Sequence, residues 1–388
     1  TVNNGAILNT TGNGGNVLNI AGSLTNNGTF GMRIGSATAD VTFNGSANQS
    51  VSGAGATTDY NRITVNNTGS AGNNIVELLP SNLTAAAGFL SLTRGAIKMS
   101  GSYTFSNTFF STANPVINAD EGIWLNNPNV TVTAQNGDTE LSGLLRISAG
   151  TYNIGVSADW WLYYNSGAVL TIDGGALNIS GAFFGNSLSS TLTYTQNNGT
   201  FTVCTVGNSS SSLPSFGIEA AGSAFTMSGG SIIVQNAASG GFDDYINNAS
   251  TSSVTGGTVQ FGNTSTPAGS IFKLTSIPSL FDLQIGSTNN PTLRLNTATT
   301  YLNDLTIGGV LDAATNNVNI NINRNWINNG SFLPGTATVT FNSTTQAQSI
   351  GGSANTTFYN LTNSNTNATG LSLNRSTTVT HTLSLSSS

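Results

Sequence analysis

The chain has 388 residues, 46 of them glycine and only 6% charged, with 15 acids against 9 bases for a formal charge of −6. Because 37% of the residues are apolar and recur in alternating runs, this is neither an ordinary charged globular domain nor a disordered chain. Bases scattered singly form no stripe to hold a phosphate backbone, which argues against nucleic acid. One cysteine, Cys204, excludes a disulfide within the chain and a thiolate zinc site. No apolar run reaches the ~18 residues that cross a bilayer, so membrane insertion is not expected. Thr1 opens with neither a basic region nor an apolar one, so a signal peptide is expected to be absent or already removed. Scarce Lys with abundant Thr and Asn predicts an extracellular, cell-surface setting, with Asn, Thr, Ser and Gly filling the exterior.

In chain order, the first phrase is Asn26-Asn27-Gly28-Thr29-Phe30, followed by Val41-Thr42-Phe43-Asn44 and Gln49. It returns some three hundred residues later as Asn328-Asn329-Gly330-Ser331-Phe332, Val339-Thr340-Phe341-Asn342 and Gln348, and its opening recurs at Asn197-Asn198-Gly199-Thr200-Phe201. The middle third carries a shorter unit. Leu145-Arg146-Ile147, Ser148-Ala149-Gly150 and Tyr152-Asn153-Ile154 are echoed by Leu170-Thr171-Ile172, Asp173-Gly174-Gly175 and Leu177-Asn178-Ile179. They are echoed again by Phe225-Thr226-Met227, Ser228-Gly229-Gly230 and Ile232-Ile233-Val234, and then by Val254, Thr255-Gly256-Gly257 and Val259-Gln260-Phe261. A second landmark, an aromatic followed by Asn or Asp, occurs at Tyr60-Asn61, Phe281-Asp282 and Tyr359-Asn360.

Each short unit is two alternating strands joined by a glycine corner, since period two puts one side inward and glycine supplies positive φ. Ile147 to Ile172 is 25 residues and Met227 to Val254 is 27, so each unit is one circuit of a coil. One circuit cannot bury its own inner face, but a stack can. The expected fold is all-β, a right-handed parallel β-helix (β-solenoid) of roughly 25 residues per circuit. At about 4.8 Å per layer it would have roughly fifteen layers and a length of about 70 Å. It is expected to run as one continuous solenoid, with long units over 1–125, Gly-cornered short units over 126–256 and long units over 257–388. Strand parity places Ile172, Ile179, Met227 and Val234 inside and Thr171, Asn178 and Thr226 outside. Both ends read mid-pattern, so the chain is expected to be a segment of something longer, associating end to end or continuing into more coil.

The phrases "GTATVTFNSTTQAQSIGGSANTTFYNLTNSN", "SGLLRISAGTYNIG" and "SGGSIIVQN" resemble repetitive regions of very large secreted surface proteins of the Bacteroidota and their relatives. Those proteins are similar in architecture to autotransporter passengers and often end in a type IX secretion sorting domain. The resemblance implies a structural role in cell-surface adhesion, gliding or fibre formation. It implies no chemistry.

The competing expectation is a carbohydrate-binding or carbohydrate-degrading β-helix, which needs acids clustered on one outer face or an Arg base beside calcium-binding acids. Asp120-Glu121 and Asp243-Asp244 are adjacent and should face opposite ways. Asp138 and Glu140 are two apart and could share a face, with Asn136 as a third calcium ligand. His381, by parity with Val379 and Leu383, is expected to point inward, with Asn303 as its counterpart. Cys204 is expected to pack. In Asp159-Trp160-Trp161-Leu162-Tyr163-Tyr164, alternation puts Trp160, Leu162 and Tyr164 on one side and Trp161 and Tyr163 on the other. An exposed aromatic pair there would contact glycans or a neighbouring subunit. The sequence predicts no enzyme, no cofactor and no metal.

Overall fold

The structure is a computed structural model that describes residues 1–12, 14–105, 109–110, 112–134, 137–297 and 299–386, with the backbone alone at 299–301. The fold among these residues is all-β without a helix: parallel strands recur about 24 residues apart in a β-solenoid of about 15 turns. The exception to parallel pairing is a short hairpin in which Arg33 and Ile34 meet Thr38 and Ala37. Contacts divide the chain into two units. The first holds Thr1–Val156, Trp160–Ser180 and Leu192–Thr195; the second holds Ser157–Asp159, Gly181–Thr191 and Gln196–Ser388.

In the first unit, one column of the core runs Leu24, Val51, Leu78, Met99, Leu125, Ile147, Ile172, each in register with the next. All seven are buried. Their spacing wanders between 21 and 27 residues because only the inward side chain and the corner are constrained, while loops absorb the difference. A second column joins Tyr152 to Leu177 and Ile154 to Ile179, on the far side of the glycine corner.

The second unit repeats the design. Val203, Val234, Phe261, Ile285 and Ile307 form one column, and Phe272, Leu293, Leu311 and Phe332 another. Aromatic rings fill its wider places: Phe216 stacks on Tyr245 with centroids 4.8 Å apart and planes 7° from parallel.

Ile172, Ile179, Met227 and Val234 are buried and Thr171, Asn178 and Thr226 are half-exposed, as parity requires. Three sequence readings need correction. Val254 pairs with Met227 but is only half-buried, because strand Thr251–Phe261 turns its first residues to solvent before the corner. Tyr359 is not the equivalent of Tyr60. Ile63 pairs with Val41 and Leu361 with Val339, and the buried residue three before each is Tyr60 in one and Phe358 in the other, so Tyr359 faces outward. A register slip between strands Thr356–Asn363 and Thr377–Leu385 falls at His381, which is exposed, stacks on Tyr359 at 4.6 Å, and has its Nδ1 3.0 Å from Asn360 Oδ1. Asn303, by contrast, is buried at a corner and donates to Asp282, so the two residues are not counterparts.

Candidate functional site

The acidic pair and the aromatic run come together on one outer face of the first unit. Strands Thr139–Leu141 and Leu162–Tyr164 pair with Thr139 opposite Leu162, Glu140 opposite Tyr163 and Leu141 opposite Tyr164. Thr139, Leu141, Leu162 and Tyr164 point into the core and are fully buried. Asp138, Glu140, Trp161 and Tyr163 are left outside, all half-exposed. Glu140 accepts from the Tyr163 hydroxyl at 3.1 Å and from the Asn165 amide, while Asp138 accepts from the Trp161 N–H at 2.8 Å. Burial, then the Glu140 carboxylate, pushes the Tyr163 hydroxyl up to about 12, so it stays a donor at any ordinary pH. Trp160 departs from the alternation. It precedes the strand, is half-exposed rather than buried, and its ring packs close to Gly155. Asn136 lies outside the described residues. Among the described residues no three His, Cys, Asp or Glu side chains gather as a metal site.

The adjacent acids do part company. Asp120 is exposed, while Glu121 is buried and spends its carboxylate on Asn118, accepting from its backbone N–H at 2.8 Å and its amide at 3.0 Å. A cleft of about 220 Å³ opens beside them, lined also by Arg94, Ser70 and Asn74. Asp243 faces outward to Thr275 and Asn296. Asp244 is turned inward, where it accepts from the N–H groups of Ala238 at 2.6 Å and Lys273 at 2.8 Å and from the Ser215 hydroxyl at 3.4 Å.

Ser215 in turn sits against Cys204, giving a buried Cys–Ser–Asp chain that sequence spacing did not reveal, since stacking alone assembles it. Burial raises the Asp244 carboxyl to about 7 against the pull of its donors, and it raises the Cys204 thiol to about 12. A thiol so raised stays protonated and is a poor nucleophile. The group therefore ties one turn to the next: Cys204 packs in a left-handed corner at φ 56 and its carbonyl accepts from Asn236 at 2.6 Å.

The largest departure from the sequence reading concerns the amides, which were expected to fill the exterior. Asn26, Gln49 and Asn67 are buried in the first unit, and Asn328, Gln348 and Asn365 in the second. Asn26 donates to Thr57 O at 2.7 Å and Thr58 Oγ1 at 3.0 Å and accepts from Gly28 N at 3.1 Å. Asn328 makes the same three bonds to Asn355 O, Thr356 Oγ1 and Gly330 N, each at 3.1 Å.

Gln49 accepts from Gly45 N at 3.0 Å and from the Asn67 amide at 3.0 Å and donates to Ile20 O at 2.8 Å. Gln348 accepts from Ser343 N at 3.1 Å and the Asn365 amide at 2.8 Å and donates to Ile322 O at 2.6 Å. The repeated phrase thus encodes a staple across successive turns. The signal was present, since Asn and Gln recur in it at matching places, but composition pointed those residues outward. The third copy is built differently: Asn197 is exposed, and the buried amide is Gln196, which donates to Gly199 O at 3.3 Å and Ser231 O at 3.1 Å.

Charges also run along the stack. Among the described residues, six of the nine Lys and Arg pair with an acid about one turn away, from Arg146–Asp173 at 2.7 Å to the loose Arg62–Asp40 at 3.9 Å. On one outer face Lys98, Trp124 and Arg146 succeed one another in register, with both cations 4.4 Å from the indole.

No family model, curated protein or solved structure matches the chain.

Proposed function

We propose that the chain is a structural segment of a secreted cell-surface adhesin or extracellular filament, of the kind its repeated phrases resemble. The observation that carries this reading is the direction of its polar chemistry. Buried amides, Asp244 and six ion pairs join turns to their neighbours, and the rest of the exterior is rich in neutral Asn, Thr and Ser. Single exposed ion pairs add little stability, but they fix register between turns.

At the edges, Leu383 and Leu385 of strand Thr377–Leu385 are 55% and 69% exposed, and Leu8, in register with the buried Phe30, is 42% exposed. These ladders would receive a further turn, from a longer polypeptide or from a second copy. Light scattering tests the second source: the chain should form concentration-dependent oligomers that a fused cap of charged residues abolishes. A strictly monomeric uncapped chain at high concentration would overturn end-to-end association.

A carbohydrate-binding surface is the second reading, favoured by the outer face where Trp161 and Tyr163 stand over Asp138 and Glu140. Aromatic faces stack on sugar rings and carboxylates accept from hydroxyls. A glycan array with the soluble chain, repeated with Trp161→Ala and Tyr163→Ala, separates the two readings.

A further inference from the structure

The tripeptide Asn-Asn-Gly occurs four times, at 3–5, 26–28, 197–199 and 328–330, and Asn44-Gly45 adds a fifth described Asn–Gly pair. The Asn of every pair, at 4, 27, 44, 198 and 329, is exposed. The glycines differ. Gly28 N–H donates to Asn26 Oδ1 at 3.1 Å, Gly330 N–H to Asn328 Oδ1 at 3.1 Å, and Gly45 N–H to Gln49 Oε1 at 3.0 Å. Each acceptor is a buried amide of the corner staples. The N–H groups of Gly5 and Gly199 have no acceptor among the described residues, and both glycines have positive φ, 78° and 73°.

Asn–Gly pairs are chemically labile because the unhindered glycine nitrogen can attack the preceding side-chain carbonyl. The bond from Gly N to Asn Cγ forms, the Cγ–Nδ2 bond breaks, and ammonia leaves with the proton from the glycine nitrogen. Water then opens the succinimide on either side, leaving aspartate or isoaspartate. Overall, one water enters and one ammonia departs. The step requires the glycine N–H to give up its proton and the peptide to rotate, and a hydrogen bond to a buried, doubly anchored amide opposes both.

We propose that Asn4 and Asn198 are spontaneous deamidation sites of the folded protein, and that the buried staples protect Asn27, Asn44 and Asn329 in the same dipeptide. Sequence alone makes the five pairs equivalent, so the ranking comes from the fold. Each event would add one negative charge to an exposed corner of a chain that otherwise has few.

Ageing the full chain in mildly alkaline buffer and mapping it by peptide mass spectrometry tests this. Asn4 and Asn198 should convert at least about tenfold faster than the other three, the factor expected when one net hydrogen bond must be given up. In denaturant the five rates should converge. Gln49→Ala should accelerate Asn44 while leaving Asn329 slow, which distinguishes local release from global unfolding. Any held position reacting as fast as an open one in the folded chain overturns the proposal, as does an unchanged Asn44 rate in Gln49→Ala.

Discussion

Where Ile147 lies under Ile172, the chain turns at Gly150 and Gly175, whose φ values of 88° and 66° let the backbone of one turn nest against the next. A Cβ on Gly175 would collide with the carbonyl oxygen of Gly150. At the turn that follows Phe43 in the same unit, Gln49 and Asn67 fill the corner instead, satisfying backbone groups that the bend leaves open. The first corner is made by the absence of a side chain, the second by a side chain that imitates a peptide. Both keep one apolar column inside, so they are alternative ways to turn the same coil. They should fail differently: the glycine corner to added bulk, the amide corner to lost hydrogen bonds.

The core that both corners serve sets the largest effect. Ile172→Asp should cost on the order of 4 kcal/mol or more by burying an unpaired charge, while Thr171→Asp on the outer side should leave the denaturation midpoint nearly unchanged. Equal losses would show that the two sides of the strand are not distinct. Next, Gly175→Ala should cost about 3 kcal/mol through collision and unfavourable φ, and it should not be rescued by any polar substitution. Gln49→Ala should cost about 2 kcal/mol, because Gly45 N–H, Ile20 O and the Asn67 amide lose their partner, and Gln49→Glu should not restore it. If Gln49→Ala were silent in a thermal melt, the amide corner would contribute nothing to the turn.

Asp244 extends the comparison to a tie that titrates. Its folded carboxyl, at about 7, lies above the ordinary aspartate range, so its protonated form favours the fold. That stability is complete below about pH 4 and is lost as pH rises towards about 7, with a slope of at most about 1.4 kcal/mol per pH unit. Asp244→Asn should flatten this part of the stability profile. A midpoint that rises with pH over that window would refute the assignment. The amide staples, which do not titrate, should contribute no such slope.

The coil itself was legible because inward parity and glycine corners leave marks in sequence: Ile147, Ile172, Met227 and Val234 stand where alternation put them. The face shared by Asp138 and Glu140 was legible for the same reason. Their meeting with Trp161 and Tyr163 was not, since it depends on which turns become neighbours. Tyr359 was misplaced because its phrase is one residue shorter than that of Tyr60, and His381 because a register slip falls beside it, neither of which alternation can register. The buried amides were hidden most effectively. Asn and Gln are ordinarily exposed, and only the pairing of a corner's open N–H and C=O groups with them explains why Asn67 and Asn328 are fully buried.

The central claim is that buried amides close corners as firmly as strands close ladders. Amide hydrogen exchange, read residue by residue on the intact chain, tests it most directly. Gly28, Gly45 and Gly330, none of which lies in a strand, should be protected to the level of ladder residues such as Val41 and Val339, while Gly5 and Gly199 exchange freely. Exchange at Gly28, Gly45 and Gly330 as fast as at Gly5 would contradict it.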